Sequence, residues 1–183
     1  MIHLLIARHG ETLENARRIL QGQLPGHLSP LGREQALRLG AQLQGEKLDL
    51  IVSSDLQRAM DTTQLLNSLL HLPVEPCSLL RERDWGPLTG VCTEEQEVRP
   101  DDFPETVESQ PHLMERAHRL IAYLLAHHDG KRLLLVGHGY FNRCILAAIE
   151  GLTPHDVPRW GNTEVRRAQI AQPDEPEPQP SLP

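Results

Sequence analysis

Three short runs of apolar residues, Ile2 to Ala7, Leu48 to Val52 and Leu133 to Val136, constrain the fold of this chain more than any other feature. Each is nearly continuous in hydrophobicity rather than alternating. That is the pattern of a strand covered on both faces, and hence of a parallel sheet with helices on either side. Val74 and Val165 to Ile170 are weaker strand candidates.

Helical signals fill the intervals. Ser29 before Pro30 reads as an N-cap with proline at the first helical position, and Leu31, Leu39 and Leu43 continue one face. Ser54 and Gln57 form a capping box for a second helix carrying Leu56, Ala59, Met60, Thr63 and Leu66. A third holds Leu113, Ala117, Leu120, Ile121 and Leu124, and a fourth runs from about Phe141 to Glu150 and stops at Gly151, with Pro154 beyond. This alternation predicts an α/β fold, a three-layer α/β/α sandwich with a mostly parallel central sheet. The expected domain spans residues 1–171. Residues 172–183, with three acids and five prolines, read as a disordered tail.

Ligand sites in open α/β sheets lie outside the carboxyl ends of the strands. All three strong strands run into unusual polar residues there: Arg8-His9-Gly10-Glu11-Thr12 after the first, Ser53-Ser54 and then Arg58 after the second, Gly137-His138-Gly139 after the third. If these strands are neighbours, two histidines and two arginines converge on one small volume. Such a cluster is unfavourable unless an anion fills it. A phosphoryl group fits, because arginine offers a planar fork of permanent charge and glycine lets the backbone come close to a ligand. A histidine in this setting serves as a neutral nucleophile or as a charged donor.

At these residues the sequence resembles the histidine phosphatase superfamily, the phosphoglycerate-mutase-like proteins. Arg8-His9-Gly10-Glu11-Thr12 matches the family's opening signature. Asn15, Leu20-Gln21-Gly22, Leu28-Ser29-Pro30-Leu31-Gly32, the segment Ser53 to Ala59 with Thr62 and Thr63, Glu82 within Leu80 to Gly86, and Val136-Gly137-His138-Gly139 follow in the family's order. The resemblance implies a phosphohistidine mechanism. His9 would attack phosphorus, Arg8, Arg58 and His138 would hold the phosphoryl oxygens, and Asn15 and the Gly139 N–H would add neutral donors. Glu82 would protonate the leaving oxygen and then take a proton from water. Gln21, Gly22 and Trp85 would face the substrate. Taken without the family pattern, Glu82 is not separated from Asp84 in the charged run Arg81 to Asp84. Two arginines and a histidine supply enough positive charge for phosphoryl transfer that no metal and no cofactor is expected.

Other readings lose ground. The net charge is −7, against a general nucleic-acid binder. Three cysteines, Cys77, Cys92 and Cys144, form no CxxC pair, and Cys144 sits among apolar helix residues as a core thiol. His127-His128 closes a helix, where histidine complements the dipole better than it announces a metal. Zincin, Walker-type and Rossmann signatures are absent from the sequence. The N-terminal apolar stretch is too short for a signal-peptide core or a membrane span, so a cytoplasmic location is expected, with no membrane partner. The sequence carries no signal for an oligomeric state.

The leading expectation is a phosphomonoester phosphatase acting on small phosphorylated metabolites. A phosphoglycerate mutase is the alternative, as is a specific phosphatase resembling α-ribazole phosphatase; a non-catalytic regulatory protein is the poorest fit. Glu82 and His138 are 56 positions apart, short beside the family's mutases, although Glu82 to Gly90 looks somewhat mutase-like. Residues 91 to 116 carry eight acids against two arginines. If they cover the pocket, their negative rim favours leaving groups that are neutral or cationic.

Overall fold

The computed structural model describes residues 1–97 and 103–171. The strands are β1 (Ile2–Arg8), β2 (Leu50–Ser53), β3 (Val74–Pro76), β4 (Arg132–Gly137) and β5 (Val165–Ile170). The helices are α1 (Leu13–Ala16), α2 (Pro30–Leu43), α3 (Gln57–Leu70), α4 (Gln110–His128) and α5 (Gly139–Glu150). One sheet forms in the order β3-β2-β4-β1-β5, parallel except for β5, which runs antiparallel to β1.

The continuous apolar runs are explained by the two layers that cover this sheet. Leu4, Ile6, Val52, Leu133 and Leu135 pack against Leu113 and Leu120 of α4 and Ile145 of α5. Their neighbours Leu5, Ala7, Ile51, Leu134 and Val136 point the other way, onto Leu39 of α2 and Ala59 and Leu66 of α3. Successive strand side chains alternate between faces, so both sets must be apolar when both faces are buried. The three-layer α/β/α sandwich with a mostly parallel sheet is therefore the observed fold. Among the described residues no helix is long and apolar enough to cross a membrane. The acidic, proline-rich segment 172–183 lies outside the described residues.

The helix boundaries correct three details. Ser29 caps α2 as expected, its hydroxyl accepting from the Gly32 N–H, but Leu31 is exposed rather than on the buried face. Leu56, not Ser54, is the N-cap of α3, with no side-chain cap bond. The Ser54 hydroxyl pairs with His138 Nε2 at 2.8 Å and accepts the Leu56 N–H at 3.3 Å, while Gln57 donates to Asp61, so the expected capping box does not form. α5 begins at Gly139, immediately after His138, and ends as expected at a left-handed Gly151 with φ of 68°.

Sheet order positions the site. β4 lies between β2 and β1, so the carboxyl ends of all three meet. The antiparallel partner β5 enters through residues 160–164, which extend the pairing past the end of β1. The Arg8 N–H donates to the Glu164 carbonyl at 3.3 Å, and the Thr163 N–H donates to the Arg8 carbonyl at 3.1 Å.

Candidate active site

Nine of the ten residues expected at the site, all but His138, line one cavity of about 980 Å³ at the carboxyl ends of the strands. His9 forms its floor and is nearly fully buried. Its Nδ1 lies 2.7 Å from the Gly10 carbonyl, an acceptor only, so Nδ1 carries the proton and Nε2 keeps its lone pair. Arg58 Nε donates to that Nε2 at 3.3 Å. Burial, then the charges of Arg58 and Arg8, hold the His9 pKa well below the usual histidine range. The result is a neutral imidazole whose unprotonated Nε2 accepts from Arg58, with the charge of Arg8 acting on the same ring.

Arg58 projects from the first turn of α3, where the helix dipole opposes a cation. Backbone oxygens hold it: Nη2 donates to the Gly22 carbonyl at 2.8 Å and Nη1 to the Leu24 carbonyl. Burial and, beyond it, the Arg8 charge bring its pKa down to about 10, against the opposing pull of Glu82. Arg8 Nη1 donates to the Trp160 carbonyl at 2.7 Å, while its buried Nε has no partner among the described residues. Burial lowers its pKa too. A Cβ at Gly139 would sit 3.3 Å from Arg8 Nε, so the first residue of α5 must be small for this guanidinium to pass. Gly10 has a different task from the one expected. A Cβ there would come 2.4 Å from the Gly32 carbonyl oxygen, so it permits β1 to meet α2 rather than to meet a ligand.

His138 lies behind His9 instead of on the cavity surface, its ring centroid 5.2 Å from that of His9. Its Nε2 pairs with Ser54, and its buried Nδ1 has no partner among the described residues. Burial and the charge of Arg58 depress its pKa well below the histidine range.

Geometry separates Glu82 from Asp84. The Glu82 carboxylate lines the cavity and accepts the Arg83, Tyr140 and Phe141 N–H groups at 2.9 to 3.1 Å, at the positive end of α5. Asp84 is exposed and accepts from the Gly86 N–H at 2.8 Å, outside the cavity. Asn15 is the third residue of α1. Its Oδ1 accepts from the Thr12 N–H at 3.2 Å, which leaves its Nδ2 as the available donor. Gln21 has a buried Oε1 without a partner among the described residues. Trp85 stands edge-on to Phe103, and Arg83 lies 4.7 Å over its ring, so its face is already partly taken.

Of two supporting residues, Asn162 escaped sequence reasoning and Thr62 was matched there without a role. Asn162 Nδ2 donates to the His9 carbonyl at 3.1 Å and reaches Asn15 Oδ1 at 3.4 Å, tying two site residues together from 153 and 147 positions away. Thr62 accepts from the Gly10 N–H at 3.0 Å and donates to the Arg58 carbonyl at 2.7 Å. The spacing of Thr62 from Arg58, one helical turn, was a usable signal; an isolated loop asparagine offered none.

The expected acidic rim is not found among the described residues. Of the described acids between 91 and 116, only Glu105 lines the cavity. Glu108 is buried in a pair with Arg116 at 2.8 Å, Glu94 and Glu95 border a separate depression, and Asp101 and Asp102 lie outside the described residues. Cys144 is a buried core thiol as expected, its pKa raised to about 12 by burial.

A strand-end arginine–histidine pair thus meets a second arginine and a second histidine at the carboxyl ends of an α/β sheet. The chain belongs to the histidine phosphatase superfamily (branch 1), which it matches over residues 4–175, and its enzyme class is phosphatase. It is 32% identical over 155 residues to the uncharacterized phosphatase PhoE of Bacillus subtilis, covering 84% of this chain and 80% of that one. It is also 32% identical over 179 residues to the probable phosphoglycerate mutase GpmB of Salmonella arizonae, covering 91% and 80%. Among solved structures, a mycobacterial glucosyl-3-phosphoglycerate phosphatase complexed with VO3 superposes with a TM-score of 0.80 at 29% identity, covering 90% of this chain and 91% of its own.

Proposed function

We propose that the chain hydrolyses phosphate monoesters of small metabolites through a phosphohistidine at His9, without a metal. The observation that carries this reading is the neutral His9 with Nε2 unprotonated, set between Arg58 and Arg8 on the floor of an open cavity. In the first step Nε2 attacks phosphorus, the N–P bond forms, and the ester P–O bond breaks. The leaving oxygen takes the proton of a protonated Glu82. In the second step water attacks phosphorus, Glu82 receives its proton, and the N–P bond breaks to return His9 and inorganic phosphate. Arg8 and Arg58 neutralise the equatorial oxygens throughout, Asn15 Nδ2 and the Gly139 N–H add neutral donors, and the neutral His138 ring adds a hydrogen-bond donor from behind His9. Phosphoryl transfer needs positioning and charge neutralisation above all, and these groups provide both.

Phosphoglycerate mutase shares the first step and differs in returning the phosphoryl group to the bound alcohol. The test is a phosphomonoester panel run in EDTA with the wild type and His9→Ala side by side. Release of phosphate by the wild type and its loss in a folded His9→Ala supports the reading. Loss of wild-type activity in EDTA, or isomerisation of phosphoglycerates without phosphate release, contradicts it.

A further inference from the structure

Resting on that phosphatase reading, we propose that Arg143 and Arg159 form a specificity wall selecting phosphate monoesters whose alcohol part carries a second anionic oxygen group. Glu82 marks the side from which the alcohol leaves, and it is held by the N–H groups of Tyr140 and Phe141. One turn further along α5, Arg143 lies 5.4 Å from the Tyr140 ring centroid and donates Nε to the Val157 carbonyl at 2.9 Å. That bond fixes the guanidinium while leaving its two terminal nitrogens without a partner among the described residues. Arg159 follows on the same segment, next to Trp160, whose carbonyl holds Arg8. Its side chain lines the cavity, is exposed, and has no ion-pair or hydrogen-bond partner among the described residues.

Solvated arginines are common, and exposure alone would mean little. What distinguishes this pair is its setting. Both open into the cavity that contains the phosphoryl site, and Arg8 and Arg58 are committed to the transferred group. Glu82 is occupied by three N–H donors, so among the described residues Glu105 is the one other carboxylate lining the cavity. Among the described residues the outer wall therefore carries an excess of positive charge, with Glu105 the one acid set against Arg143 and Arg159, on the leaving-group side of the cavity that Arg8 also lines. A neutral alcohol leaves that charge unused. A carboxylate or second phosphate on the alcohol satisfies it, through bidentate contacts that arginine makes with either group.

The experiment compares kcat/KM for phenyl phosphate, 4-carboxyphenyl phosphate and 1,4-phenylene bisphosphate in the wild type, Arg159→Ala, Arg159→Glu and Arg143→Lys. The ratio of anionic to neutral substrate is the readout, and the intrinsic reactivity of each ester cancels when ratios are compared between proteins. The second and third substrates distinguish carboxylate from phosphate as the group preferred. The wild-type ratio is expected above one for at least one anionic compound. Arg159→Glu should lower it about tenfold, the scale of one partly exposed charge reversed at contact distance, with Arg159→Ala between. The discrimination should also shrink as salt is raised. A wild-type ratio at or below one for both compounds overturns the proposal, as does a ratio that Arg159→Glu leaves unchanged; in either case turnover of phenyl phosphate still supports hydrolysis. Failure of the wild type to turn over any of the three compounds would count against the phosphatase reading itself.

Discussion

Glu82→Gln separates the proton carrier from the rest of the machinery, and its effect has two parts. The first is structural. Glu82 Oε1 accepts from Arg83 and Phe141 at 2.9 and 3.1 Å, and Oε2 accepts from Tyr140 at 3.1 Å. A glutamine amide keeps one acceptor oxygen and turns an NH2 toward an N–H, so at least one donor loses its partner. That costs about 1–3 kcal/mol, with roughly 0.3–1 kcal/mol more for removing a negative charge from the start of α5. The second part is chemical. A positioned general acid contributes about 10²–10⁴-fold when the leaving oxygen is a poor one, and little when it is nitrophenolate. Rapid-quench measurements with p-nitrophenyl phosphate and an alkyl phosphate, at a temperature where the variant is folded by circular dichroism, resolve the two. The phosphorylation rate should fall by that factor for the alkyl ester and stay near wild type for the nitrophenyl ester. A nitrophenolate burst should then give way to slow turnover, because attack by water still needs the base. Equal losses in the phosphorylation step for both esters would refute Glu82 as the acid.

Three further outcomes follow from the same geometry. Arg58→Ala should lower kcat/KM by about 10²–10³-fold, the scale for one transition-state donor; a loss under tenfold would remove Arg58 from the phosphoryl site. Asn162→Ala should lower stability by about 1 kcal/mol for its lost hydrogen bond, while Asn162→Asp, which sets an acceptor against the His9 carbonyl and Asn15 Oδ1, should have the lower kcat of the two; a wild-type kcat in Asn162→Asp would show that the contact does not position His9. Stability should fall with pH below about 6.5, because the unfolded chain's histidines protonate there while His9 and His138 resist it; folding then releases protons, and each contributes a slope of up to about 1.4 kcal/mol per pH unit. Urea titrations at pH 7 and pH 5 should show a smaller difference for His9→Gln than for the wild type, and an equal difference would contradict the depressed His9 pKa.

Much of this was legible because it is local. Continuous apolar runs read directly as strands buried on both faces, and the polar residues just past them, Arg8-His9 and His138, needed only the rule that ligands sit at carboxyl ends of strands. What was misread depended on partners far along the chain. Ser54 looked like a helix cap, but His138 competes for its hydroxyl from 84 positions away. Glu108 counted toward a negative rim, yet Arg116 takes it into a buried pair. Arg143 and Arg159 belong to no sequence motif; α5 carries the first and the segment before β5 the second to the cavity. Asn162 carries no pattern at all. Its importance comes from the antiparallel return of the chain alongside β1, which sequence spacing does not encode.

The central claim is the covalent one, that the phosphoryl group passes through His9. Brief mixing with phosphorus-labelled substrate, followed by a denaturing alkaline quench that preserves a phosphoramidate and peptide mapping by mass spectrometry, tests it directly. The account predicts label on the peptide containing His9 in the wild type, stronger in Glu82→Gln with an activated ester, and none in a folded His9→Ala. Label that persists in His9→Ala, or that maps to His138 or Cys144, would contradict it.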